Sequence, residues 1–183
     1  MPRGAGFEFT DEVKGGAIPG QFIPAIEKGV RQALTSGAVA GYPLQDVRVT
    51  VYDGKYHSVD SKEVAFVAAG RKAFLEAVAK AGPQVLEPIV ELEVAAPEQH
   101  MGDISGGLAA KRARINGTDS NGGGEIVVKA QVPLSELEGY AAELKSVTAG
   151  RGRYSLDFSH YEPVPAQVQQ KLVAAWQPRH EED

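Results

Sequence analysis

Apolar residues recur at two different periods along this chain, and the switches between them mark its elements. In FEFTDEV they alternate with polar residues, as in a strand covered on one face. After the loop GGAIPG, Ile23, Ile26, Val30 and Leu34 fall at helical spacing. Pro24 is tolerated only in a first turn, so that helix starts near Phe22, and Gly37 is its expected stop. DVRVTVY alternates again, with Val47, Val49 and Val51 on one side and Arg48, Thr50 and Tyr52 on the other. Asp53-Gly54 then predicts a tight turn, because glycine supplies positive φ without strain. A second helix is expected from near Ser61, with Asp60 as N-cap and Glu63 completing a relative of the capping box. Its buried stripe reads as Val64, Val67, Ala68, Phe74, Leu75 and Val78. Gly82-Pro83 ends it, and KAGPQVLEP reads as a hinge.

The pattern beyond the hinge is cleaner. PIVELEV turns Val90, Leu92 and Val94 inward. PEQHMGDISGGLAAK predicts a helix weakened by Gly102, Gly106 and Gly107, each about 1 kcal/mol poorer than alanine. RARIN is a short strand and GTDSNGGG a flexible turn. EIVVKAQV sets Ile126, Val128, Ala130 and Val132 on one side. SELEGYAAELKSV opens with Ser135 and Glu138 at capping-box spacing and turns Leu137, Tyr140, Ala141 and Leu144 to a core. RGRYSLDFSHY closes with Tyr154, Leu156 and Phe158 alternating. The order βαββαβ, with a short turn joining the middle strands, is the split βαβ or ferredoxin-like plan. The expected class is α+β: a βαβ-type domain over residues 1–86, a ferredoxin-like domain over 87–165, and a C-terminal helix and tail over 166–183. That helix lies in PAQVQQKLVAAW, and the acidic tail HEED reads as a frayed, solvated end.

Composition narrows the functional classes. An apolar share of 43% allows a packed core, and the absence of cysteine excludes disulfides and thiolate metal sites. That fits a reducing compartment, so a cytoplasmic protein is expected. No apolar run approaches the roughly 20 residues of a membrane span, and MPRGAGFEF has no apolar signal core. Net charge is −5, against the usual sign for a nucleic-acid binder. Up to Glu87 there are ten cationic and ten acidic residues; from Pro88 on there are nine against fourteen. Contact with RNA would therefore run through local patches.

Candidate chemistry is sparse. There is no P-loop, dinucleotide fingerprint or nucleophile elbow, and the run Gly122–Gly124 lies between strands instead of opening a helix. None of His57, His100, His160 and His180 stands at metal-ligand spacing from another. His100 reads as a surface or cap residue and His160 as packed beside Tyr161. Glu91 and Glu93 alternate onto a solvent face. Two cationic groups stand out: Lys111, Arg112 and Arg114 in AAKRAR, and Arg151 and Arg153 in GRGRY. In the split βαβ plan these are expected at nearby ends of the sheet, as one anion-facing edge. Lys55, Tyr56, His57 and Ser58 stand between strand and helix, where an aromatic ring and an imidazole on a projecting loop suit unstacked bases or a sugar–phosphate backbone.

Several of these stretches carry a resemblance. FEF…GGAIPGQFIPAIEKGVRQAL…GAVAGYPLQDVRVTVYDGKYHSVDSKEVAF closely resembles the fourth domain of bacterial elongation factor G. LEPIVELEVAAPEQHMGDISGGL and GRGRYSLDFSHYEPVP resemble its fifth domain. The likeness runs from about Gly4 to Pro165. It implies an elongated first domain, here incomplete because its opening strands and a Gly-rich tip loop have no counterpart. It also implies a ferredoxin-like second domain facing large-subunit ribosomal RNA. By the same resemblance Asp53, Gly54, Lys55, Tyr56 and His57 belong to a tip that reaches tRNA–mRNA pairing at the decoding centre. The family moves tRNA and mRNA through the ribosome. Its GTP-binding domain, with GTP and magnesium, lies upstream of the resembling region, so no catalysis or cofactor is expected in these residues. The sequence departs from the family at Gly107 (usually an acid), Lys111 (arginine) and Ala113 (glycine). The alternatives are a divergent paralogue acting in ribosome recycling, a stand-alone ribosome- or RNA-binding module, and an enzyme. The resemblance further leads us to expect either an expressed fragment or a truncated paralogue, with self-association through the incomplete domain's open sheet edge.

Overall fold

In a computed structural model, residues 1–58 and 61–176 are described, and they form two compact units. Among the described residues no helix is long and apolar enough to cross a membrane. The first unit comprises Met1–Val85 and the chain from Pro165 onward. Strand β1 (Phe7–Asp11) pairs in parallel with β2 (Val47–Val51), Phe7 opposite Val47 and Asp11 opposite Val51. A parallel pair needs a crossover, and helix α1 (Ile23–Ser36) supplies it. Pro24 sits in its first turn, and Gly37 ends it at φ +78° with its N–H donating to the Ala33 carbonyl.

Helix α2 (Glu63–Lys80) packs across α1 at a backbone-to-backbone approach. A Cβ on Gly29 would strike the Val67 carbonyl oxygen, and one on Gly70 would lie 2.7 Å from the Ile26 carbonyl oxygen. The face of α2 differs in part from the one expected: Phe74 and Val78 are buried and Val67 and Leu75 pack against the core, whereas Val64 and Ala68 do not. Phe66, Gly70, Phe74 and Val78 are buried at four-residue intervals, and Val64 is exposed. Gly70, small enough to admit α1, fixes that rotation. The helix begins at Glu63 behind Lys62, which makes no side-chain cap; Asp60 lies outside the described residues. Helix α5 (Ala166–Ala175) belongs to this unit. Gln169 accepts from the Val85 N–H at 3.0 Å and donates to the Pro83 carbonyl at 3.1 Å. Trp176 follows, its indole lying on Gly41.

The second unit, Leu86–Val164, is one antiparallel sheet in the order β4-β5-β3-β6. Its strands are β3 (Leu86–Pro97), β4 (Arg114–Gly122), β5 (Glu125–Pro133) and β6 (Arg153–Pro163). Helix α3 (Met101–Ala110) joins β3 to β4, and α4 (Tyr140–Val147) joins β5 to β6. One core holds Val90, Leu92 and Val94 of β3, Ile126, Val128, Ala130 and Val132 of β5, and Ile104, Leu108, Tyr140 and Leu144 of the helices. This is the ferredoxin-like plan, and the inward residues of the middle strands are those the alternation marked.

Two local expectations fail, and one exposure needs its reason. The stretch from Gly117 to Gly122 is strand, paired with β5, so the turn shrinks to Gly123-Gly124, both at positive φ. Ser135 and Glu138 form no capping box: Leu134–Leu137 is a short 3-10 turn, and α4 starts behind Gly139 at φ +74°. Tyr154, Leu156 and Phe158 lie opposite the buried Val94, Leu92 and Val90, yet stay exposed because β6 is an edge strand.

Candidate nucleic-acid interface

After Val51 the chain runs to His57 without regular structure, and three devices pin it. Gly54 does not adopt the positive φ that its turn signal predicted. It is glycine because Ile18 packs against it: a Cβ there would lie 2.8 Å from Ile18 Cγ1 and closer still to Cδ1. Tyr56 leans on Phe22 with ring centroids 5.7 Å apart, and Phe22 stacks on the buried Phe66 at 4.4 Å. The His57 N–H donates to Ser61 Oγ at 2.9 Å, and the Ser61 N–H donates to the His57 carbonyl at 3.1 Å. The backbone is thereby fixed, while the side chains of Asp53, Lys55, His57 and Ser58 stay exposed. Tyr52, at the foot of this segment, is 75% exposed.

Ile18 and Phe22 are the residues that pattern reading missed. Both precede α1, and neither falls on its helical stripe. A signal existed: Ile18 is the one large apolar residue in the loop GGAIPG, where solvent alone gives no reason for it.

The cationic residues of the second unit do not form one edge. Arg114 stands in the cross-strand row of Gln131, Glu91 and Asp157, whereas Arg153 stands in the row of Ala95 and Val127. The rows are four residues of β3 apart, about 13 Å, and the two arginines lie on opposite edge strands, about 14 Å across the sheet. The two groups therefore occupy diagonal corners.

Most of these cations also have carboxylate partners. Lys111 pairs with Glu143 at 2.9 Å, Arg114 with Glu162 at 2.6 Å, and Arg153 with Glu125 through bonds of 2.6 and 2.9 Å. Arg112 points inward. Its guanidinium grips both oxygens of Glu87 at 2.7 and 2.8 Å and Glu136 at 2.8 Å. Glu87 is only 8% exposed, and its hydrogen bonds hold the arginine proton more tightly than usual. The Arg112 backbone sits at φ +56°, a left-handed conformation uncommon for a side chain, which this triad holds in place. Arg151 is exposed, and among the described residues its side chain reaches only His100 Nε2, at 3.3 Å.

His160 is not packed beside Tyr161. On the helix-free face it joins a ring of hydrogen bonds, from Ser159 (3.0 Å) and Glu162 (2.8 Å) through Arg114, Gln131 and Glu91 back to Ser159. His160 and Arg114 together hold the Glu162 carboxyl below its ordinary range. Glu91 belongs to this ring and is half-buried.

Among the described residues no group of three potential ligands gathers to hold a metal ion. The glycine run, at a hairpin turn, offers no cradle for phosphates.

Residues 1–82 match the family model for elongation factor G, domain IV, and residues 84–172 match that for the elongation factor G C-terminus. The chain belongs to the elongation factor G family. It is 51% identical over 173 residues to elongation factor G of Aquifex pyrophilus, which covers 94% of this chain and 25% of that protein. It thus spans about a quarter of that relative's length. A crystal structure of a Thermus thermophilus protein superposes with a TM-score of 0.73 at 41% identity, over 92% of this chain and 26% of the other. The boundary between the two elongation factor G matches falls in the hinge stretch before β3.

Proposed function

We propose that these residues are the ribosome-contacting part of an elongation-factor-G-like translation factor that promotes movement of tRNA and mRNA. The tip from Asp53 to His57 touches the tRNA–mRNA pairing, and the ferredoxin-like unit faces large-subunit ribosomal RNA. The observation that carries this reading is the braced tip. A loop whose backbone is locked by Ile18, Phe22 and Ser61, but whose imidazole and ammonium point to solvent, is built to present those groups to a partner. A catalytic imidazole would instead need a base, a ligand or an enclosing cleft around it. GTP and its magnesium would be bound and turned over by residues other than these.

Within the second unit, Arg151 is the first choice for an RNA contact, because among the described residues it has no carboxylate to give up. Arg153, Arg114 and Lys111 join only by exchanging a carboxylate for a phosphate, and Arg112 serves to hold the α3–β4 junction. We further propose that the β1–β2 ribbon associates with a second copy, since two strands alone leave backbone groups open at both edges. Light scattering that finds only monomer across a concentration series would remove that part.

Co-sedimentation with purified ribosomes tests the main reading. The parent chain should pellet with ribosomes, Lys55→Ala/His57→Ala should pellet less, and Arg112→Ala should lose stability before it loses contacts. Equal pelleting of the parent and the tip variant would overturn the role of the tip.

A further inference from the structure

A second feature of the first unit is unrelated to the tip. A groove of about 740 Å³ runs along the outer side of α1 and is closed on one side by Arg71 of α2. Its floor repeats at helical spacing: Glu27 and Lys28, then Arg31 and Gln32, then Thr35. Among the described residues that line it are Lys28, Arg31 and Arg71 with the carboxylate of Glu27, in a chain of net charge −5, and Lys28 and Arg31 are the cations the proposal uses. From Pro24 to Thr35 the stripe is about 16 Å long, enough for a run of backbone phosphates.

The cations are set in different ways. Arg31 is anchored: its Nε donates to Glu27 at 2.8 Å, and its guanidinium lies 4.6 Å over the Phe7 ring. A guanidinium held by stacking and one carboxylate loses little further freedom on binding and keeps donors to offer. Lys28 makes no ion pair among the described residues, and Gln32 beside it is exposed. An anchored fork, an exposed ammonium and an amide donor along one groove match the oxygens of a phosphodiester strand. An acidic peptide would need its carboxylates at matching spacing and would gain nothing from the fork beyond one of them.

We propose that the α1–α2 groove binds the phosphodiester backbone of RNA, as a contact separate from the tip. The proposal rests on the reading that this chain meets RNA, and the test keeps the two apart. A fluorescein-labelled 20-nucleotide single-stranded RNA is titrated with the full chain by anisotropy over a series of salt concentrations. Lys28→Glu/Gln32→Glu, both on the exposed face of α1, should weaken binding about tenfold and make the salt dependence shallower by about one to two in logarithmic slope. Thermal melting is expected to match the parent, so loss of fold cannot mimic the effect. Lys55→Ala/His57→Ala should leave the groove's share of the slope in place. An unchanged affinity and slope in the groove variant, with loss in the tip variant, would overturn the groove and keep the tip. Loss in the groove variant alone would keep the groove and count against the tip. A parent that binds no RNA at low salt overturns both. Equal, Lys28-dependent binding of polyglutamate would overturn RNA as the occupant.

Discussion

Replacing Gly54 with alanine tests how the tip is held. The added methyl would sit 2.8 Å from Ile18 Cγ1 and nearer to Cδ1, whereas carbon atoms rest at about 3.5–4.0 Å. Ile18 is buried, so it has little space into which to turn. Overpacking of this kind costs about 1–3 kcal/mol. In a unit of this size each kcal/mol lowers Tm by about 4–8 °C. Ile18→Val removes the offending Cδ1 at a cost of about 0.5–1.5 kcal/mol by itself. The double variant should therefore be more stable than the sum of the two losses, by about 1 kcal/mol or more. Trp176 is the single tryptophan, and it lies on Gly41 of the same unit, so its fluorescence during urea unfolding reports this unit alone. Strictly additive losses, or a Gly54→Ala chain as stable as the parent, would refute the account of why glycine stands there.

Three further outcomes follow from the second unit. Arg112→Ala leaves the carboxylate of Glu87 buried without a counter-ion and should destabilise by about 3 kcal/mol in urea unfolding, whereas Arg151→Ala should change stability by less than about 0.5 kcal/mol. The Tyr140 hydroxyl is buried without a hydrogen-bond partner among the described residues, and burial pushes its pKa up to about 12. A phenol raised in the fold contributes stability below about pH 10 that is lost as pH climbs toward 12. Tyr140→Phe should flatten that alkaline loss and be neutral or stabilising by up to about 1 kcal/mol at pH 7. The Glu162 carboxyl is lowered, first by His160 and then by Arg114, so its contribution is present above its ordinary value of 4.5 and disappears as pH falls below that. Glu162→Gln should lose the acid-side part of the stability–pH curve, measured by melting between pH 5 and about 3.

Much of this could be read from the chain. The inner strands of the second unit were legible because Val90, Leu92 and Val94, like Ile126 to Val132, alternate without interruption, and period two has one structural meaning. Helix α1 was legible for the same reason at period 3.6. Helix α2 misled because AFVAAG offers apolar residues on every side; its face is set by Gly70 meeting α1, a tertiary fact. GTDSNGGG looks like a turn by propensity, but pairing with β5 imposes strand on most of it. The tip's position and exposed chemistry were visible in YDGKYHS. Its bracing was not, because Ile18 and Phe22 lie more than thirty residues away from it in sequence. The same holds for Arg112, whose carboxylate partners stand 25 and 24 positions off. Basic clusters on paper say nothing of which carboxylates have already claimed them.

The central claim is that a fixed loop delivers His57 to RNA, and a cross-link from that position tests it most directly. A photoreactive amino acid placed at residue 57, with a control at exposed Glu76 of α2, is irradiated in complex with ribosomes carrying tRNA and mRNA. The account predicts that position 57 cross-links to tRNA, mRNA or the small-subunit RNA beside their pairing, and that Phe22→Ala weakens this yield by freeing the loop. Cross-links from position 57 to ribosomal protein alone, or a yield indifferent to Phe22, would contradict it.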